Sequence, residues 1–148
     1  MSLLKKLLRF TESPNNEITS EKQIQIATCI LLIEVSKSDD NFDKNEINNI
    51  KDIIKNKFIL DDDELNNLFE KCNTRHEEMT SLYEWTDIIN SECSYAEKLK
   101  IINYMWQIAF TDSIIDKYED YTIRKVCDLI HVKHKDFINL KEKNSTSI

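Results

Sequence analysis

The chain has 148 residues, a formal net charge of −7, a single proline and no glycine. That length suits one domain that buries roughly two thirds of its unfolded surface without staples. Lacking glycine, it cannot build most primed hairpin turns, phosphate-cradling loops or dinucleotide fingerprints, which argues against a β-rich fold, a P-loop and a Rossmann site together. The acidic balance keeps the chain soluble and disfavours nucleic acid as a partner. Cys29, Cys72, Cys93 and Cys127 are scattered, with no C-x-x-C spacing. Cys29, Cys72 and Cys127 fall at apolar positions of helical runs, where reduced cysteines act as small hydrophobes. This usage implies a reducing cytoplasm and no disulfides.

Taken in order, residues 1–19 read as an N-terminal amphipathic helix and a linker. Leu3, Leu4, Leu7 and Leu8 share one face, with Lys5, Lys6 and Arg9 opposite. The pattern suits docking on the body of the protein or a weak contact with an anionic membrane surface or a partner. No run approaches the ~20 apolar residues of a membrane span, and the N-terminus lacks the apolar core and cleavage site of a signal peptide. Thr11–Thr19 is polar and holds Pro14.

A helical domain is expected over 20–142. Ser20 with Gln23 forms a capping box that opens a helix apolar on more than one face, from Ile24 to Val35, suited to the centre of a core. Glu34 is an unusual acid inside it. A second helix carries the stripe Ile47, Ile50, Ile53, Ile54 and Phe58. Asp61 with Glu64 caps a third, which buries Leu65, Leu68, Phe69 and Cys72 and runs on through Arg75–Glu78. A fourth starts at Thr80 and places Leu82, Tyr83, Trp85, Ile88 and Ile89 inward. Ser94 with Glu97 caps a fifth, from Leu99 to Phe110. A sixth carries Ile123, Val126, Cys127 and Ile130, and a last short one carries Phe137, Ile138 and Leu140. The fold class is therefore all-α, a compact single-domain bundle of about eight helices, with a disordered tail over 143–148.

The chain also contains an internal duplication. Residues 30–54 align without a gap with 103–127, so that Asp39, Asp43, Lys44, Glu46 and Ile50 match Asp112, Asp116, Lys117, Glu119 and Ile123. Beyond a one-residue slip, Leu60 and Leu65 match Val132 and Phe137. Both acidic segments read D-x-x-x-D-K-x-E. Equivalent loops of a duplicated unit packed about a pseudo-two-fold axis would lie close together.

An Asp followed three residues later by Glu before an apolar run is a capping box, which accounts for Asp43–Glu46 and Asp116–Glu119. It does not account for Asp39, Asp112 or Glu34. Carboxylates ~4 Å apart repel by about 4 kcal/mol at an effective dielectric near 20, so a cluster calls for a cation, a lysine or raised pKa values. Such hard oxygen donors suit Ca²⁺ or Mg²⁺. The candidate ligands are Asp39, Asp43, Glu46, Asp112, Asp116 and Glu119, with Glu34 as a direct or supporting addition. The site is not an EF-hand, because Lys44 stands where the turn glycine belongs and Ile50 where the bidentate Glu belongs. Alternatives are pure helix capping, or an acidic patch for a partner protein. His131 and His134 have H-x-x-H spacing but no nearby acid or cysteine. His76 lies in a charged run and reads as solvated. No Ser/His/Asp or Cys/His arrangement has local support, so no catalytic group is assigned and the chain reads as a non-enzyme. Metal-assisted hydrolysis at the acidic loops is the enzymatic alternative.

Leu31-Leu32-Ile33-Glu34-Val35 leads into Asp39-x-x-x-Asp43-x-x-Glu46. Leu82-Tyr83-Glu84-Trp85-Thr86 follows, then Trp106-Gln107-Ile108-Ala109-Phe110-Thr111-Asp112-x-x-x-Asp116-x-x-Glu119, and finally Val132-x-His134-x-Asp136-Phe137. In this order the pieces resemble the TerB (tellurite-resistance protein B) family over residues 24–142. The resemblance implies a compact all-helical domain with a repeated acidic motif. It also implies a metal-binding role in bacterial tellurite and stress responses, sometimes near the inner membrane, with no established reaction. Protein partners, in a membrane-associated complex, are the expected company of such a module. Two departures stand out. Asp40 and Ser113 replace the family's loop glycine, and Gln107 replaces the upstream acid that the first copy keeps as Glu34.

Overall fold

The computed structural model describes residues 20–37, 44–112 and 117–145, and among these every regular element is a helix. Seven α-helices run in order: α1 (Ser20–Lys37), α2 (Lys44–Phe58), α3 (Asp62–Glu78), α4 (Tyr83–Glu92), α5 (Tyr95–Ala109), α6 (Lys117–Leu129) and α7 (His134–Ser145). A 3₁₀ turn, Phe110–Asp112, ends α5. The described residues thus hold seven of the roughly eight expected helices; the one expected over Ser2–Phe10 lies outside them.

The sequence of α1 dictates its place. Ile26, Ala27, Ile30, Leu31, Leu32, Ile33 and Val35 spread over more than one face, and all are fully buried. A helix apolar on several faces must be enclosed, and α1 packs against α2, α3, α4, α5 and α6. The remaining helices each present one stripe. α2 buries Ile50 and Ile54, α3 buries Leu65, Leu68, Phe69 and Cys72, and α6 buries Ile123, Val126 and Cys127. α7 docks Phe137 against α5, where its ring lies 5.2 Å from that of the fully buried Trp106. None of these helices is long and apolar enough to cross a membrane.

Local signals set several boundaries. Asp61 accepts the Glu64 amide at 2.8 Å while its own N–H donates to the Glu64 carboxylate at 3.2 Å. Ser94 and Glu97 exchange the same pair of bonds at 3.2 Å each. Each box satisfies two amides that a helix start leaves orphaned. α4 begins at Tyr83 rather than at Thr80, where the Ser81 hydroxyl accepts the Tyr83 amide. Tyr83 was expected inward, but it is exposed. α7 passes the boundary expected at 142. Asn144 is buried and donates to the Asn103 side chain at 2.8 Å, which ties the last turn to α5. The rest of the expected tail, 146–148, lies outside the described residues.

Two helix ends share an unusual geometry. Ile59 after α2 and His131 after α6 have φ of 54° and 62°, and they stand 72 residues apart. Beside them, the Leu60 amide reaches back to the Lys55 carbonyl at 3.3 Å and the Val132 amide to the Cys127 carbonyl at 2.9 Å. These are the i-to-i−5 bonds of a left-handed helix cap, a position that favours glycine. In a chain without glycine, Ile59 occupies it with a β-branched side chain that is 90% exposed. The left-handed conformation costs an L-residue roughly 1–2 kcal/mol, part of which glycine returns as unfolded-chain entropy. Ile59→Gly is therefore expected to stabilise the fold by about 1 kcal/mol, a rise in melting temperature of roughly 3–5 °C. A variant melting at or below the wild type would show that Ile59 carries packing its exposure does not reveal.

Candidate cation-binding site

The acidic segments connect α1 to α2 and the 3₁₀ turn to α6. Asp39, Asp43 and Asp116 lie outside the described residues. Asp112 is placed only as the last residue of the 3₁₀ turn. Glu34, Glu46 and Glu119 can be followed to their side chains.

Glu46 and Glu119 occupy equivalent positions, each the third residue of its helix. They are 2% and 5% exposed. Glu64 and Glu97 hold the same third position in α3 and α5, where they complete capping boxes. Yet Glu64 is exposed and Glu97 only half-buried. Capping thus does not require burial, and a carboxylate taken out of water needs a cation, strong donors or a proton to offset its lost hydration. Burial sets both acids apart from the other two third-position glutamates.

One bond joins residues that flank the two segments. The Asn49 amide donates to the Thr111 hydroxyl at 2.9 Å, while that hydroxyl donates to the Gln107 carbonyl at 3.3 Å. Asn49 lies one turn beyond Glu46, and Thr111 precedes Asp112. The start of α2 therefore abuts the 3₁₀ turn that leads into the second acidic segment, and α2 also packs on α5. The carboxylate-bearing Glu34 of the first copy and the amide-bearing Gln107 of the second stand in the turns that lead into the two segments.

Glu34 has a partner that sequence reasoning missed. Its Oε2 lies 2.5 Å from Nε2 of His76 on α3, and the imidazole is only 12% exposed. His76 is thus not solvated, which corrects the expectation from its charged neighbourhood. The signal was present: Leu65, Phe69, Cys72 and His76 recur at helical spacing on one stripe. Alongside, Lys37 pairs with Glu77 at 3.6 Å, so an ion pair also joins α1 to α3. With one oxygen committed to His76, Glu34 is placed to orient and hold charge beside the first segment rather than to act as a free ligand. Among the described residues, no three His, Cys, Asp or Glu side chains converge on a point that would hold a metal. His131 caps α6, and His134 stacks on Phe137 at 5.6 Å, so the H-x-x-H spacing serves the α6–α7 junction.

The cysteines follow the expected pattern. Cys29, Cys72 and Cys127 are buried, Cys93 is half-buried, and all four are free thiols. Burial pushes the Cys72 and Cys127 thiols up, Cys127 to about 12, so both are inert as nucleophiles.

A family model described as tellurite resistance protein TerB matches residues 25–142. No curated protein and no solved structure gives a match.

Proposed function

The chain belongs to the tellurite resistance protein TerB family, and on that premise we propose that it is a non-enzymatic binding module that holds a divalent cation between its two acidic segments. The observation that carries this reading is the burial of Glu46 and Glu119 at matching positions of α2 and α6. The Asn49–Thr111 bond, which joins residues flanking the two segments, supports it. An all-carboxylate donor set fits a hard ion, Ca²⁺ or Mg²⁺, better than Zn²⁺. Asp39, Asp43, Glu46, Asp112, Asp116 and Glu119 would hold the ion. Glu34, tethered by His76, would add negative charge behind the first segment.

The matched left-handed caps at Ile59 and His131 support reading the two halves as copies of one unit. So does the packing, in which α1 meets α3 as α5 meets α7. In this reading the ion ties the copies together, and the surface so stabilised engages protein partners. The setting is cytoplasmic, at the inner face of a bacterial membrane, in a stress response that includes the tellurite resistance of the family's name.

The test is a thermal melt of metal-stripped protein titrated with Ca²⁺, Mg²⁺, Mn²⁺ and Zn²⁺. A ligand at 100 times its dissociation constant stabilises a fold by about 2.7 kcal/mol, roughly 5–10 °C for this size. A saturating rise with one hard cation is expected, and Glu46→Gln or Asp112→Asn should abolish it. A flat response would return the acids to helix capping and leave a metal-free module that works through protein contacts alone.

A further inference from the structure

The charge of the chain is unevenly spread. Residues 117–145, which form α6 and α7, carry seven Lys and Arg against five Asp and Glu, whereas the rest carries 13 against 22. Between these two helices lies an open groove of about 430 Å³ lined by Lys117, Asp120, Tyr121, Arg124 and Lys141. That size falls within the range of small-ligand sites.

Its cations are held in place. Asp120 pairs through Oδ1 with Arg124 at 3.5 Å and through Oδ2 with Lys141. The Arg124 guanidinium lies 5.3 Å from the centre of the Phe137 ring, and the Lys141 ammonium 5.5 Å from that of Trp106. One carboxylate and two core rings thus fix both heads at the groove, which lowers the cost of ordering them around a ligand. Lys117 adds a third cation at the start of α6, and Tyr121, 64% exposed, adds a phenol and an open ring face. Three positive charges against one negative leave the groove with two in excess.

We propose that the α6–α7 groove binds a phosphate monoester. A guanidinium fork beside two ammonium groups suits several oxygens of a tetrahedral dianion better than the two of a carboxylate. The exposed Tyr121 ring offers a platform for the ester's organic portion. The assignment does not rest on the cation site, and its test is run on metal-free protein.

The full chain, in EDTA at pH 7.5 and low salt, is titrated with phenyl phosphate and with benzoate while backbone amides are followed by NMR. In parallel it is mixed with phosphatidylcholine vesicles with and without phosphatidic acid. Saturating shifts centred on Tyr121, Arg124 and Lys141 are expected with phenyl phosphate, with phosphatidic acid vesicles, or with both. Phenyl phosphate alone marks a soluble ester as the source, and vesicles alone mark a lipid headgroup. The double substitution Arg124→Gln with Lys141→Gln should weaken binding at least tenfold, whereas Lys100→Gln on α5 should leave it unchanged. Because Arg124 and Lys141 rest on core rings, the exposed Lys117→Glu provides a second variant that spares the core, with a loss of at least tenfold expected. The proposal is overturned by lack of saturation with every phosphate probe, by benzoate binding as tightly as phenyl phosphate, or by undiminished binding in the variants.

Discussion

Trp106→Ala is expected to destabilise the protein by about 3–5 kcal/mol, the range for deleting a buried large aromatic. Domains of this size carry only about 5–15 kcal/mol in total, so the variant should melt on the order of 10–20 °C lower. Trp106 is fully buried on α5, and its ring lies 5.9 Å from Phe110 and 5.2 Å from Phe137. Lys141 covers its face from α7. The residue thus joins the helix that leads into the second acidic segment to the last helix of the chain. A control isolates the packing term. The indole Nε1 is buried with no hydrogen-bond partner among the described residues, a cost of about 1–3 kcal/mol. Trp106→Phe removes that orphaned donor along with some volume, so it should cost roughly 2 kcal/mol less than Trp106→Ala. Urea titrations of the three proteins measure both differences. A loss below about 1 kcal/mol in Trp106→Ala would mean that α7 is not anchored on this ring.

What the sequence made legible was the part written in local pattern. Helix periodicity located α1 as the central element, and the capping boxes at Asp61 and Ser94 marked the starts of α3 and α5. The inward cysteines and both tryptophans were readable for the same reason. The misses lie where a contact crosses between elements. His76 sits among charges along the chain but on an apolar stripe in space, and only the facing Glu34 explains it. Tyr83 shares the spacing of a core stripe, yet it is exposed. Asn144 was read as tail because its partner, Asn103, is remote in sequence. The candidate site was legible as a list of acids. The burial that separates Glu46 and Glu119 from the ordinary capping residues Glu64 and Glu97 was not, since one motif serves all four. The cation groove was invisible in an acidic chain, because Lys117, Arg124 and Lys141 meet only when α7 folds against α6.

Alkaline pH should unfold this protein through its buried thiols. The Cys127 thiol is pushed up to about 12, first by burial and then by the neighbouring Asp128. In the unfolded chain a thiol loses its proton near pH 8.5. Between these values the unfolded state has released a proton that the folded state keeps. Protons bound in the unfolded state are then fewer than in the folded state, so stability falls as pH rises. The slope approaches about 1.4 kcal/mol per pH unit for one such group, and the whole interval costs about 4–5 kcal/mol. Cys72 acts in the same direction, raised by its burial and by contact with Cys29. Below about pH 8 neither thiol contributes a slope, because both states hold the proton. Lysines and tyrosines also titrate in the alkaline range, so the wild-type curve alone does not assign the effect. The difference between wild type and Cys127→Ala does. At pH 7 the substitution should cost about 1 kcal/mol for the small loss of packed volume. With rising pH that deficit should shrink and then reverse, because the alanine protein has no proton to withhold at this position. Guanidinium titrations under reductant at half-unit steps from pH 7 to 11 measure the crossing. Parallel curves for the two proteins would show that the Cys127 thiolate is tolerated in the folded state, with water or a cation reaching the space between α6 and the core.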